Sequence, residues 1–179
     1  MKFLYSDTQD FVDPNFDFLQ EKYSPGREKD HTDAYAHELL SEPPYDGLLV
    51  AMSAVRQAEG VAKNKVRYTT AQEQRLLRDG ARRYLRFGGP RFKDLMLMGD
   101  CGAFAYADLP RPAFTPREVF DFYDEAGFSH GVSPDHIIFD CDLNNPKVPH
   151  APEGMAQDEM AGYVARIKDR YEITLRSEE

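Results

Sequence analysis

Cysteine and long apolar runs are both scarce in this sequence. The chain has 179 residues and only two cysteines, too few for a disulfide framework or for a four-cysteine zinc site. No stretch approaches the ~20 consecutive apolar residues of a membrane-spanning helix. Acidic residues also interrupt the amino-terminal segment before the apolar core of a signal peptide develops. These absences favour a cytoplasmic protein with no membrane partner.

Basic residues are outnumbered overall, but they are distributed unevenly. The chain carries 22 lysines and arginines against 31 acidic residues, for a formal net charge of -9. Between Lys63 and Lys93, however, ten basic residues are opposed only by Glu73 and Asp79, which leaves that segment at +8. A concentrated basic segment in an acidic protein indicates a local surface for phosphates.

Short apolar strands alternate with helices along the chain. We predict strands at residues 2–6, 48–51, 95–98, 128–132, 136–139 and 171–175, and helices at 34–40, 70–86, 116–126 and 157–168. Strands that alternate with helices in this way are typical of an α/β fold, in which helices cover a parallel sheet. No linker divides residues 1–179, so we expect one domain.

Four arginines recur at helical spacing in the predicted helix 70–86. At 100° per residue they would share one narrow face; they are Arg75, Arg78, Arg82 and Arg86. Such a face either binds the phosphates of a nucleic acid or merely solvates an exposed helix. Because few acids lie between these arginines, the sequence favours phosphate binding.

Two aspartates directly follow predicted strands. Asp100 comes after strand 95–98, between two glycines, and Asp140 comes after strand 136–139. Parallel sheets bind ligands at the carboxyl ends of their strands. Paired carboxylates at that edge can accept hydrogen bonds from a base and transfer protons, or they can hold a divalent metal. The structural alternative is that each merely caps a turn.

The segments around these aspartates resemble a known family. Residues 98–104 (MGDCGAF) resemble the strand-end Asp-Ser-Gly-Gly-Phe motif of tRNA-guanine transglycosylases. Residues 135–142 (DHIIFDCD) are similar to that family's second motif, a hydrophobic run that closes in Phe-Asp-Glu-Cys. Residues 3–7 (FLYSD) and 45–47 (YDG) resemble one branch in particular, the transglycosylase-like proteins of 7-deazaguanine DNA-modification systems.

This resemblance implies a fold, a reaction and a set of site residues. The fold would be part of a (β/α)8 TIM barrel, and the reaction would exchange guanine for 7-cyano-7-deazaguanine in DNA, with tRNA a less favoured substrate. Asp100 would act as general acid/base, Asp140 would accept hydrogen bonds from the base, and Phe104 would stack on it. Gly102 would give the backbone room, and Cys101 would replace the family's serine in the base-binding loop.

The resemblance covers only the first half of the family's barrel, about five of eight strands. The family's aspartate nucleophile and its zinc site lie in the other half, so we expect no cofactor in this chain. We also expect a partner chain or self-association to complete the barrel. Two alternatives stay open. One is a non-catalytic nucleic-acid or deazapurine binder, and the other is a metal-dependent hydrolase that uses the two aspartates with His130 and His136.

Overall fold

A computed structural model describes residues 1–7, 9, 11–137, 141–142, 145–149 and 157–176. The strands are β1 (Leu4–Ser6), β2 (Gly47–Ala51), β3 (Met96–Asp100), β4 (His130–Gly131), β5 (Cys141–Asp142) and β6 (Asn145–Pro149). The helices are α1 (Lys29–Thr32), α2 (Ala36–Leu39), α3 (Met52–Val55), α4 (Thr70–Asp79), α5 (Ala81–Tyr84), α6 (Pro116–Ala126) and α7 (Gln157–Arg176). Short 3-10 turns occur at Lys63–Lys65, Pro90–Phe92 and Ala103–Ala105.

Strands β1 to β4 form one sheet in which every neighbouring pair is parallel. Their spatial order equals their order in the chain. The predicted α/β fold with a parallel sheet is therefore confirmed. Strands β5 and β6 pair with each other in an antiparallel hairpin.

The two faces of the four-stranded sheet differ in burial. Leu48, Val50 and Leu97 lie on one face and are at most 1% exposed, because helices α4 and α6 contribute Leu76, Val119 and Phe122 to the same core. Residues at the alternate positions, Leu49, Ala51, Met98 and Asp100, are only half-buried. We call these two surfaces the helix-covered face and the half-buried face.

Tyr123 of α6 fits into a slot on the helix-covered face. Gly99 of β3 and Gly131 of β4 are paired across the sheet, and the ring of Tyr123 lies over both. A Cβ atom at Gly131 would lie 2.6 Å from that ring, and one at Gly99 would also overlap it. The Tyr123 hydroxyl donates a hydrogen bond to the carbonyl of Val132, over 3.0 Å. The two glycines therefore let α6 approach the sheet closely.

Helix α6 begins and ends as its sequence predicts. The Thr115 side chain accepts a hydrogen bond from the N–H of Glu118, and the Glu118 side chain accepts one from the N–H of Thr115. Pro116 occupies the first turn, where a missing N–H costs no hydrogen bond. Gly127 ends the helix in the left-handed region, at φ +68°.

The predicted single helix 70–86 is wrong, because the chain forms two helices there. Gly80 ends α4 with φ +79° and ψ 150°, and α5 begins at the next residue. Glycine adopts this conformation without the steric cost that a Cβ imposes. The non-helical backbone at Gly80 interrupts the 100° spacing between α4 and α5, so that spacing does not place the four arginines on one face.

The predicted strand at 171–175 is also wrong, because α7 continues through it to Arg176. Lengthening an existing helix needs no new nucleus, and that advantage outweighs the strand preference of a short β-branched run. Arg170 of α7 donates hydrogen bonds to the carbonyls of Ile137 and Leu109. None of the described helices is long and apolar enough to cross a membrane. Residues 136–137 of the predicted strand 136–139 are irregular, and 138–139 lie outside the described residues.

Candidate active site

Asp100 is the last residue of β3 and pairs with Ala51 of β2 across the sheet. Its carboxylate accepts a hydrogen bond from the N–H of Gly102, over 3.0 Å. Burial raises the pKa of Asp100, and the negative charge of Asp135 raises it further, while the N–H groups of Gly102 and Cys101 partly offset both. The carboxyl group therefore keeps its proton to a higher pH than an exposed aspartate, as a general acid requires.

Gly102 holds the Asp100 loop against the end of β2. It has φ +79° and ψ 44°, in the left-handed region, and its carbonyl accepts a hydrogen bond from the Ser53 hydroxyl over 3.2 Å. A Cβ atom at Gly102 would lie 2.8 Å from the Ser53 Cβ and would overlap the Ser53 hydroxyl oxygen. The space beside Gly102 is thus occupied by Ser53, and contact between Gly102 and a base stays a prediction.

Phe104 presents its ring to solvent just beyond Asp100. Its side chain is 78% exposed, whereas Ala103, directly before it, and Tyr106, two residues after it, are buried. The buried neighbours fix the 3-10 turn while the aromatic ring projects from it. An exposed ring on a fixed backbone is suited to stacking on a planar heterocycle.

Cys101 is fully buried and contacts a residue that the sequence did not single out. Its thiol donates a hydrogen bond to Oδ1 of Asp135, over 3.2 Å. Burial raises the pKa of Cys101 to about 11, so the thiol is protonated at neutral pH and is a poor nucleophile. Asp135 thereby joins the Asp100 site from beyond β4. The sequence feature that could have indicated Asp135 is the group of three acids at 135, 140 and 142.

His136 serves a structural role in this arrangement. It is 2% exposed, and its Nε2 donates a hydrogen bond to the carbonyl of Leu109 over 2.8 Å. Within the described ranges, no three histidine, cysteine or acidic side chains converge as a metal site requires. Asp140, the second predicted site residue, lies outside the described residues.

Asp7 is a further acid at the carboxyl edge, directly after β1. It is 2% exposed, and the Tyr68 hydroxyl donates a hydrogen bond to its Oδ2 over 2.5 Å. By strand alternation Asp7 lies on the helix-covered face, so it is separated from Asp100 by the sheet. It holds the segment around Tyr68 against the end of β1.

Two of the four predicted phosphate-binding arginines donate hydrogen bonds to residues outside α4 and α5. Arg82 donates to the carbonyls of Phe92 and Leu95, at the amino end of β3 and thus opposite to Asp100. Arg86 donates to the carbonyl of Asp33 and to the carboxylate of Glu38, over 2.7 and 3.0 Å.

The other two arginines lie on α4. Arg78 pairs with Asp79 over 2.9 Å, and its side chain is 70% exposed. Arg75 is 46% exposed and lies 4.0 Å from the same carboxylate. The common face predicted for the four arginines is therefore not present, and their contact with nucleic acid stays a prediction.

No family model matches the chain. The chain is similar to the DNA-guanine transglycosylase of Salmonella montevideo, with 39% identity over 139 residues. The resemblance to guanine transglycosylases is confirmed. The matched segment covers 78% of this chain and 32% of the relative, so the chain spans about a third of the length of that transglycosylase.

Proposed function

We propose that this chain supplies the base-binding and proton-transfer part of a guanine transglycosylase that acts on DNA. The observation that carries the proposal is Asp100, which ends a parallel strand and has a raised pKa, followed four residues later by the exposed ring of Phe104. An acid and an aromatic surface on one short loop are what exchange of a flipped base requires. The similarity to a protein named DNA-guanine transglycosylase supports this assignment.

Asp100 would move one proton in each half of the exchange. A carboxylate nucleophile attacks C1′ of the deoxyguanosine, the N-glycosidic bond breaks, and the departing guanine takes the proton of Asp100. The incoming base then returns a proton to the Asp100 carboxylate, bonds to C1′ and displaces the nucleophile. The proton count balances, and a carboxyl group with a raised pKa can serve in both directions.

The incoming base in this proposal is 7-cyano-7-deazaguanine. Phe104 would stack on it, Asp140 would accept hydrogen bonds from its guanine-like edge, and Cys101 would shape the loop. A zinc ion does not fit the described residues, because no three ligand side chains converge among them. The Cys101 thiol, moreover, is already hydrogen-bonded to Asp135. No step above involves a metal.

The nucleophile and the rest of the barrel would come from outside this chain. Four parallel strands in sequential order are what the first part of a (β/α)8 barrel presents. The half-buried face, with Leu49 and Met98, would become the barrel interior. We therefore propose that residues 1–179 form part of one barrel domain, completed by a partner chain or by self-association.

The proposal is tested by incorporation of labelled guanine or labelled 7-cyano-7-deazaguanine into guanine-containing DNA. The assay uses the purified chain alone and the chain together with the product of the neighbouring gene. Asp100→Asn should reduce exchange by about 100-fold or more, because it removes the acid/base group. Asp124→Asn, at an exposed acid near the end of helix α6, is the matched control and should leave exchange unchanged.

Two outcomes would contradict this function. One is the absence of label in DNA both with and without the neighbouring product, and the other is full exchange by Asp100→Asn. Binding of the free base without exchange would instead favour the deazapurine-binding alternative. Equilibrium dialysis with labelled 7-cyano-7-deazaguanine measures that binding directly.

A further inference from the structure

Residues 63–67 (KNKVR), which we call the basic loop, belong to the +8 segment but lie on neither helix α4 nor α5. Lys63, Lys65 and Arg67 are all exposed. Among the described residues, the ion pairs of the chain involve none of these three side chains. Their charges are thus available to an external anion, unlike that of Arg86, which pairs with Glu38.

Hydrogen bonds place the basic loop at the same edge of the sheet as Asp100. The N–H of Arg67 donates to the carbonyl of Ala54, over 2.7 Å. Ala54 adjoins Ser53, whose hydroxyl bonds to Gly102 in the Asp100 loop. Tyr68, the next residue, is held by the carboxylate of Asp7 at the end of β1. The loop is therefore anchored to the carboxyl ends of three strands.

The segment before the basic loop also packs against the segment that follows Phe104. A Cβ atom at Gly60 would lie 3.0 Å from the side chain of Leu109, so the segment before the basic loop touches the segment that follows Phe104. Arg111, two residues after Leu109, is exposed as well. Two exposed acids, Glu59 and Asp108, lie at this contact, and the four cations outnumber them.

We propose that the basic loop binds DNA phosphates that flank the guanosine presented to Asp100. This inference rests on the proposed function, since it takes DNA as the substrate. A base that is swung out of the helix carries its sugar and both adjacent phosphates towards the pocket, so cations are needed beside the acid/base residue. Contacts to phosphates also fix the position of the strand and add most of the non-specific affinity.

The test compares two double variants that each remove two lysine charges. Lys63→Gln with Lys65→Gln alters the basic loop. Lys2→Gln with Lys93→Gln alters the amino edge, where both lysines lie near the start of β3 at Met96. Binding of a fluorescent guanine-containing duplex is measured by anisotropy between about 50 and 200 mM salt, a range over which affinity from phosphate contacts falls steeply.

We expect the basic-loop variant to flatten the plot of log affinity against log salt by about 1.8, because each phosphate contact contributes about 0.9. Adding Arg67→Gln should flatten it by about 0.9 more. The amino-edge variant should keep the wild-type slope. Equal slopes in both double variants, or a larger loss at the amino edge, would overturn the inference. Failure of the wild-type chain to bind DNA at low salt would instead overturn the proposed function.

Discussion

Replacing Gly102 by alanine should destabilise the protein through two separate effects. A residue with a Cβ pays about 1–2 kcal/mol in the left-handed region that Gly102 occupies at φ +79°. The same Cβ would overlap Ser53, and overpacking of this kind costs about 1–3 kcal/mol. Together they amount to about 2–5 kcal/mol, a large share of the 5–15 kcal/mol that stabilises a typical domain.

A double-mutant cycle separates these two effects. In a Ser53→Gly background the side chain that Gly102→Ala would strike is gone, and the nearest remaining atom is the Ala51 Cβ at 3.2 Å. Only the conformational cost of about 1–2 kcal/mol should then remain. The coupling energy should be about 1–3 kcal/mol, because the Ser53→Gly background removes the cost of the overlap.

Urea denaturation provides the free energies of unfolding for all four proteins of the cycle. Circular dichroism follows the helices, and tyrosine fluorescence follows the core, because the chain has ten tyrosines and no tryptophan. A coupling energy near zero would show that Ser53 does not confine Gly102. A total cost for Gly102→Ala below about 1 kcal/mol would refute the conformational argument as well.

Three smaller perturbations test other parts of the fold and site. Asp135→Asn should lower the pKa of Asp100, measured by NMR titration of its carboxyl carbon, because a like charge is removed while burial remains; an unchanged pKa would contradict this. The raised pKa means that the stability Asp100 confers falls as pH rises through that pKa, and the variant should show a smaller fall. Tyr68→Phe should cost about 1–3 kcal/mol in urea at neutral pH, because the buried Asp7 carboxylate loses one of its hydrogen-bond donors, and a neutral effect would argue against that bond. Thr115→Ala should cost about 0.5–2 kcal/mol through loss of the helix cap while leaving the pKa of Asp100 unchanged, and a shift in that pKa would reveal a coupling absent from the structure.

Features that depend on neighbouring residues could be predicted from the sequence. Helix α6 is an example, because Thr115, Pro116 and Gly127 mark its ends locally. The position of Asp100 at a strand end is another, because an apolar run leads directly into it. These local signals were sufficient to place the acid/base candidate and the parallel sheet.

Features that depend on distant residues could not be predicted in the same way. The contact between Cys101 and Asp135 spans 34 positions, and the hydrogen bond from Arg86 to Asp33 spans 53. Helical spacing suggested a common face for the arginines, but it does not show that α4 ends at Gly80. Nor does it show that distant carbonyl groups accept hydrogen bonds from Arg82. Contact between the α4 arginines and phosphates stays a prediction, and the basic loop, which helical spacing did not single out, is a further proposed contact.

The slot that holds Tyr123 restricts the register of β4 against β3. Strand β4 is only two residues long, too short for its own hydrogen bonds to define its alignment firmly. A slip of one residue would bring the side chain of His130 or Val132 opposite Gly99, where the ring of Tyr123 leaves no space. The ring of Tyr123 on α6 thus fixes the register of β4. That register in turn determines where Asp135 lies and whether its carboxylate accepts the hydrogen bond from Cys101.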